Sequence, residues 1–232
     1  MERHAPNCHA CAGGSTWDAL RDELICHWPY AVFSTAFALA ILSFTAPSSA
    51  TGSASARTSL LALFHSFHFM HIMFASMGTV ITYLRFSASF MRTIIVGALA
   101  PTFFCVLSDA ILPYVGGRLL GVDMYFHLCF LHELKNVLPF LIAGIASGFV
   151  MKLHHGGRLD WFSQMSHATH IFVSALASMF YLVAHGFSDW THQLGAVFIL
   201  LVVCVVVPCT LSDVVVPMIL ARTDKQDEKY SS

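Results

Sequence analysis

The sequence predicts an all-α polytopic membrane protein whose six transmembrane helices form a 3+3 inverted-topology internal repeat. Three observations predict this architecture: hydrophobic residues make up 56% of the 232 positions, charged residues make up only 11%, and polar motifs recur in the same order in both halves. Soluble globular domains carry about a quarter charged residues, so this composition excludes that class. The net charge of -1, with Lys and Arg scattered along the chain, excludes a nucleic-acid partner, which would need a basic surface.

Six stretches are apolar enough to cross a bilayer, given that a spanning helix needs about 20 residues. The predicted spans cover residues 29–46, 58–84, 91–115, 136–151, 166–187 and 194–220. The fourth is short, which suits a tilted or half-length helix. Alternatively, the preceding "MYFHLCFLHELK" extends it, and we interpret that stretch as an amphipathic helix at the membrane interface.

The basic residues predict the orientation. With both termini in the cytoplasm, nine Lys and Arg lie inside and only Arg57, Arg118 and Lys135 lie outside. Such an excess on the cytoplasmic side is what the positive-inside rule requires. We therefore expect an integral protein of the plasma membrane, specifically a bacterial inner membrane, with the lipid bilayer as its surroundings.

Three motif pairs define the repeat. "ELICHWPY" matches "ELKNVLPF", "HFMHI" matches "HATHI", and "CVLSDAILP" matches "CTLSDVVVP". We divide the chain into a cytoplasmic tail with His and Cys (1–22), a first three-helix repeat (23–118), a second repeat that begins with the amphipathic segment (119–221) and a charged cytoplasmic tail (222–232). Because three spans per repeat is an odd number, the halves must be inverted, an arrangement typical of secondary transporters.

The repeated aspartates predict two metal sites. A buried Asp costs roughly 2.5–3.5 kcal/mol on insertion scales unless it is paired, and histidines three apart share one helix face. The expected ligand sets are His68, His71, Asp109 and Glu133 on one side, and Glu23, His167, His170 and Asp213 on the other, with His65, His132, Cys105 and Cys209 as secondary candidates. Imidazole with carboxylate suits zinc, manganese, iron or cobalt. No catalytic residue is assigned.

Two further features bear on the sites. Pro113 and Pro217 follow their aspartates by four residues, so we expect free carbonyls at Asp109 and Asp213 and a kink; exposure of backbone to an ion and simple packing are both open explanations. The N-terminal tail gathers His4, Cys8, His9 and Cys11, and we hypothesise that it captures metal.

These observations favour a transporter of divalent transition-metal ions, proton-coupled because metal and protons compete for the same atoms. Two alternatives are a membrane metalloenzyme and a haem-binding electron carrier. "HFMH", "KLHH" and "HATH" resemble the histidine boxes of di-iron hydroxylases and desaturases, but they fall in opposite halves of the membrane. Bis-histidine haem ligation would leave the aspartates without a role. The metal ion is the expected partner, and assembly as a homo-oligomer stays open.

Overall fold

The computed structural model describes residues 16–45, 54–127, 133–154 and 159–231, and all regular structure within those ranges is helical. The helices are α1 (Thr16–Thr45), α2 (Ala54–Phe86), α3 (Phe90–Val106), α4 (Leu112–Leu119), α5 (Leu134–His154), α6 (Leu159–Ala184), α7 (Leu194–Thr210) and α8 (Val216–Ser231). A π-helical turn, Leu107–Ile111, joins α3 to α4, and a second, Leu211–Val215, joins α7 to α8. A short 3-10 turn, Trp190–Gln193, precedes α7.

Six helical segments are long and apolar enough to cross a membrane, which confirms the predicted number of spans. They are Leu24–Thr45, Ala54–Phe86, Phe90–Leu119, Leu134–Leu153, His167–Ala184 and Trp190–Asp224. In a bilayer every backbone N–H and C=O must find a partner within the protein, and a continuous helix supplies those partners itself. The third and sixth spans each contain one of the π-turns.

In the region between the halves, the structure decides one open alternative and corrects one expectation. The fourth span is full-length, because the helix starts before and ends after the predicted 136–151. The amphipathic helix is wrong at residues 124–127, which are irregular, as are residues 122 and 123 before them. Their backbone bonds elsewhere, since the Tyr125 N–H donates to the His185 carbonyl at 2.9 Å. Residues 128–132 of that prediction lie outside the described ranges.

The second span is central to the bundle and packs extensively against both α6 and α5. It runs antiparallel to α6, because Phe67 stacks on Phe180 with ring centroids 5.6 Å apart, and His71, further along α2, meets His170, earlier in α6. It runs parallel to α5. There, a Cβ on Gly144 would stand 2.3 Å from the Met73 carbonyl oxygen, so this glycine permits a close helix contact of the kind that membrane proteins favour.

The two ends of the bundle differ in chemistry. At one, here called the Tyr83 end, the buried Asp224 carboxylate accepts hydrogen bonds from the Tyr83 hydroxyl and the Arg92 guanidinium. At the other, here called the His65 end, the side chains of His65 and His185 come near residues 122–127. Between them, halfway along the bundle, lie Asp109 and Asp213.

Candidate metal centre

Asp109 is completely buried and fully hydrogen-bonded. His68 Nδ1 and His71 Nδ1 both reach its Oδ2, at 2.8 and 2.7 Å. Its Oδ1 accepts from the Ser108 hydroxyl at 2.7 Å and from the Ser174 hydroxyl at 3.1 Å. The expectation that histidines three apart would present two imidazoles to one neighbour therefore matches the geometry around this carboxylate.

Asp213 has the corresponding neighbours in the second half. His170 Nδ1 lies 2.5 Å and His167 Nδ1 3.3 Å from its Oδ2. Its Oδ1 is buried and has no hydrogen-bond partner within the described residues. Gly78 makes this position possible, because a Cβ there would stand 2.8 Å from the Asp213 Oδ2.

The two halves meet in one cluster rather than forming two separate sites. His71 Nε2 and His170 Nε2 are 2.6 Å apart, so Asp109, His71, His170 and Asp213 form a continuous chain of contacts. Because a carboxylate only accepts hydrogen bonds, each Nδ1 carries a proton. Two bare Nε2 lone pairs would repel at 2.6 Å, so a further proton lies between the rings. We call Asp109, Asp213 and the four histidines around them the central cluster.

The central cluster leaves several metal-ligating atoms open. His68 Nε2 and His167 Nε2 are buried without a hydrogen-bond partner in the described part of the chain. Since Nδ1 of each ring faces a carboxylate, Nε2 carries the lone pair, as in the carboxylate–histidine pairs that orient metal ligands. Two groups have ligand atoms within 4.8 Å of one another: His71, His170 and Cys209, and His167, His170 and Asp213.

The two cysteines differ. The Cys209 sulfur lies 3.6 Å from His71 Nε2 and 3.5 Å from the Ser174 hydroxyl, which places a soft ligand beside the imidazole pair. Cys105 is buried and free but belongs to neither of those two groups of ligand atoms among the described residues. Of these two cysteines, only Cys209 therefore lies where it could ligate a metal.

Each aspartate lies in a π-turn. The carbonyl left without a backbone donor by the proline is therefore that of the preceding serine, not that of the aspartate as the sequence predicted. The Leu112 N–H donates to the Leu107 carbonyl, and in that register the Ser108 carbonyl would need the N–H of residue 113, which is proline. The Ser178 hydroxyl of α6 supplies the missing donor, at 3.0 Å from the Ser108 oxygen.

The second π-turn repeats this arrangement. The Val216 N–H donates to the Leu211 carbonyl, Pro217 cannot donate, and the Thr79 hydroxyl of α2 reaches the Ser212 carbonyl at 3.1 Å. Thr79 and Ser178 are as far apart in sequence as His68 and His167. This hydroxyl pair was a signal that motif matching missed, because Thr and Ser are not identical.

Other predicted ligands lie away from the central cluster or outside the description. Among the described residues, the Glu133 carboxylate accepts a hydrogen bond from Asn136 and makes none with a histidine; its charge acts on His65 at the His65 end. The side chain of Glu23, the whole of His132 and the tail with His4, Cys8, His9 and Cys11 lie outside the described residues.

Sequence reasoning also missed His27. This residue of α1 is buried, and its ring meets the His167 ring edge-on with centroids 3.9 Å apart. It lies within "ELICHWPY", where the repeat motif pointed to the glutamate instead.

At the His65 end, burial lowers the pKa of His185 to about 4, because this effect is larger than the opposite effect of its hydrogen bond to the Tyr181 carbonyl. The His185 ring is therefore neutral near pH 7.

Comparison with protein-family models, with curated proteins and with solved structures finds no match for this chain.

Proposed function

We propose that the chain is a membrane transporter of divalent transition-metal ions, with the central cluster as its ion site. The observation that carries this proposal is the chain of contacts from Asp109 through His71 and His170 to Asp213, buried halfway along six apolar helices. Ionisable groups at such depth are costly and commonly mark ion or proton pathways. A purely structural role would not require four imidazoles around two carboxylates.

The donor atoms suit transition metals. Imidazole nitrogens, one thiol sulfur and a carboxylate oxygen are available from His68, His71, His170, Cys209 and Asp213. This set suits zinc, manganese, iron or cobalt, whereas calcium and magnesium prefer shells of oxygen. Asp109 has a different role in this proposal: its oxygens already accept four hydrogen bonds, so it orients the imidazoles rather than binding metal.

Ion binding requires a change in the His71–His170 contact. Two imidazoles on one tetrahedral ion, with metal–nitrogen bonds of about 2.0–2.1 Å, place their nitrogens about 3.3 Å apart. The observed 2.6 Å is too short. The rings must therefore separate, and the proton between them must leave, since metal and proton need the same lone pairs. This exchange supports proton-coupled transport.

An inverted repeat is part of the proposal. Equivalent residues of the two halves make equivalent contacts: each histidine pair with its own aspartate, and each α2 or α6 hydroxyl with the carbonyl before an aspartate. His71 and His170, which the repeat makes equivalent, touch each other. Inverted halves that meet at a midplane site are the design of many secondary transporters. We retain the cytoplasmic location of both termini and the bacterial inner membrane as parts of this proposal.

The test is metal flux in vesicles. Purified protein in liposomes loaded with a fluorescent chelator should take up Zn²⁺, Mn²⁺, Fe²⁺ or Co²⁺, and Asp109→Asn and Asp213→Asn should each reduce the rate at least tenfold. Asp189→Asn is the matched control, because Asp189 is an exposed carboxylate next to His192 and outside the cluster. A single symmetric elution peak from size-exclusion chromatography must accompany each variant.

Three results would reject the transporter. Flux unchanged in both cluster variants removes the role of the aspartates. Iron at two atoms per chain with oxygen-dependent turnover identifies the metalloenzyme instead. A Soret band in the purified protein identifies the haem carrier.

A further inference from the structure

A second group of histidines lies at the His65 end, apart from the central cluster. It consists of His65 on α2, His127 in the irregular segment and His185 just after α6, and we call it the second histidine group. The His127 and His185 rings are nearly parallel with centroids 6.0 Å apart, and the His65 and His127 centroids are 6.3 Å apart. Three different parts of the chain thus bring imidazoles to one place.

Tyr181 holds two members of this group in position. Its ring stacks on the His185 ring with centroids 4.0 Å apart, and its carbonyl accepts from His185 Nδ1 at 2.8 Å. Its hydroxyl accepts a hydrogen bond from the His127 backbone N–H at 3.2 Å. Gly186 secures the same segment, because a Cβ there would stand 2.8 Å from the Asp123 carbonyl oxygen. The irregular segment is therefore fixed over the end of α6.

The donor atoms of the group are suited to a metal. Since a carbonyl can only accept, His185 Nδ1 carries the proton and Nε2 carries the lone pair. His65 Nε2 is buried and has no hydrogen-bond partner within the described residues. Two charges act on the group: Glu133 on His65, and Arg57 on His185. These two charges have opposite signs, so neither a cation nor an anion is favoured by them, and the class of ligand follows from the imidazole donors.

We infer that His65, His127 and His185 form a second binding site for a divalent transition-metal ion, at the entrance to the bundle. With metal–nitrogen bonds of about 2.0–2.1 Å, two imidazoles on one tetrahedral ion have centroids about 5.2 Å apart. The observed 6.0 and 6.3 Å are about 1 Å longer, so binding of the ion would have to draw the rings together. The choice of ion class rests on the proposed function.

The second histidine group lies next to the central cluster. His65 and His68 are one helical turn apart on α2, and the buried Phe64 ring lies near both groups, with its centroid 5.5 Å from that of His68 and 5.9 Å from that of His185. An ion bound by the second group would have one aromatic layer to pass before reaching His68. The second site thus concentrates ions at the end from which the central cluster is filled.

The test measures binding of Co²⁺ to the full-length protein in detergent, by titration calorimetry and by the visible absorption of Co²⁺ bound to imidazole. His127→Ala should abolish one Co²⁺ site per chain or weaken it at least tenfold, the lower end of what even outer-shell changes cost metal sites. His65→Gln should have the same effect. His192→Ala is the matched control, because this exposed histidine lies just before α7, in the same connection as His185, and belongs to neither histidine group.

A separate arm keeps this inference distinct from the proposed function. In the Asp109→Asn/Asp213→Asn background, the loss caused by His127→Ala should persist. Identical Co²⁺ isotherms for His127→Ala, His65→Gln and the control would overturn the second site, whatever the flux measurements show. Conversely, unchanged flux in the aspartate variants would reject the transporter. A Co²⁺ site that depends on His127 would be unaffected by that result.

Discussion

The hydroxyl of Ser178 should be worth more to stability than an ordinary contact between membrane helices. It donates to the Ser108 carbonyl, which Pro113 cannot serve. Ser178→Ala removes the donor without changing the shape of the site, and leaves a buried carbonyl unpaired at a cost of about 1–3 kcal/mol. Polar pairs between membrane helices average about 0.6 kcal/mol and reach about 1.7. We expect the free energy of unfolding to fall by about 1–2 kcal/mol.

A second substitution tests the reason for that loss. Pro113→Ala returns an N–H to residue 113, five residues after Ser108, in the register that the π-turn already uses. In this background the Ser108 carbonyl has a backbone donor. Ser178→Ala should therefore cost only about 0.6 kcal/mol there, the average for one interhelical hydrogen bond.

The measurement is reversible unfolding in mixed micelles as the fraction of sodium dodecyl sulfate rises, followed by circular dichroism. Ser66→Ala is the matched control, since its exposed hydroxyl bonds back to the Ala62 carbonyl within α2, and it should change stability by less than about 0.5 kcal/mol. Equal losses for Ser178→Ala with and without Pro113 would refute the argument, as would a loss no greater than that of the control.

Two other substitutions probe the central cluster. Gly78→Ala should push the Asp213 carboxylate away from its histidines and lower metal flux at least tenfold. Gly195→Ala is its control, because Gly195 has open space around it, and flux should stay within twofold of the unmodified protein. Equal flux in the two variants would show that the position of Asp213 does not matter. Cys209→Ser should weaken binding of Cd²⁺, a soft ion, more than that of Mn²⁺, because sulfur is lost. Cys204→Ser, a buried free thiol outside the metal-ligand groups, is its control, and a uniform effect on both ions would exclude the thiol as a ligand.

The spans and the histidine–aspartate pairs could be predicted because they depend on local rules. Apolar length alone gives six crossings, and the three-residue spacing of His68 and His71 places both rings on one face, where Asp109 receives them. The bounds of the fourth span were predicted too narrowly because Lys135 and Lys152, just outside 136–151, belong to a helix that runs from Leu134 to His154.

The joining of the two halves could not be predicted, because it depends on packing. His71 and His170 carry no sequence signal for a 2.6 Å contact; it follows from how closely α2 approaches α6. The π-turns are likewise not local properties. They require hydroxyls from other helices at the Ser108 and Ser212 carbonyls. His27 was overlooked because a lone histidine beside a tryptophan gave no pattern to follow.

The carbonyl and carboxylate bonds around the two π-turns tie four spans together. They link α2 to the third and sixth spans and α6 to the same two. None of these particular bonds involves α1 or α5, and α5 meets α2 through small-residue packing. Any movement that separates these four spans must therefore break hydrogen bonds around Asp109 and Asp213, whereas a shift of α1 or α5 breaks none of these particular bonds.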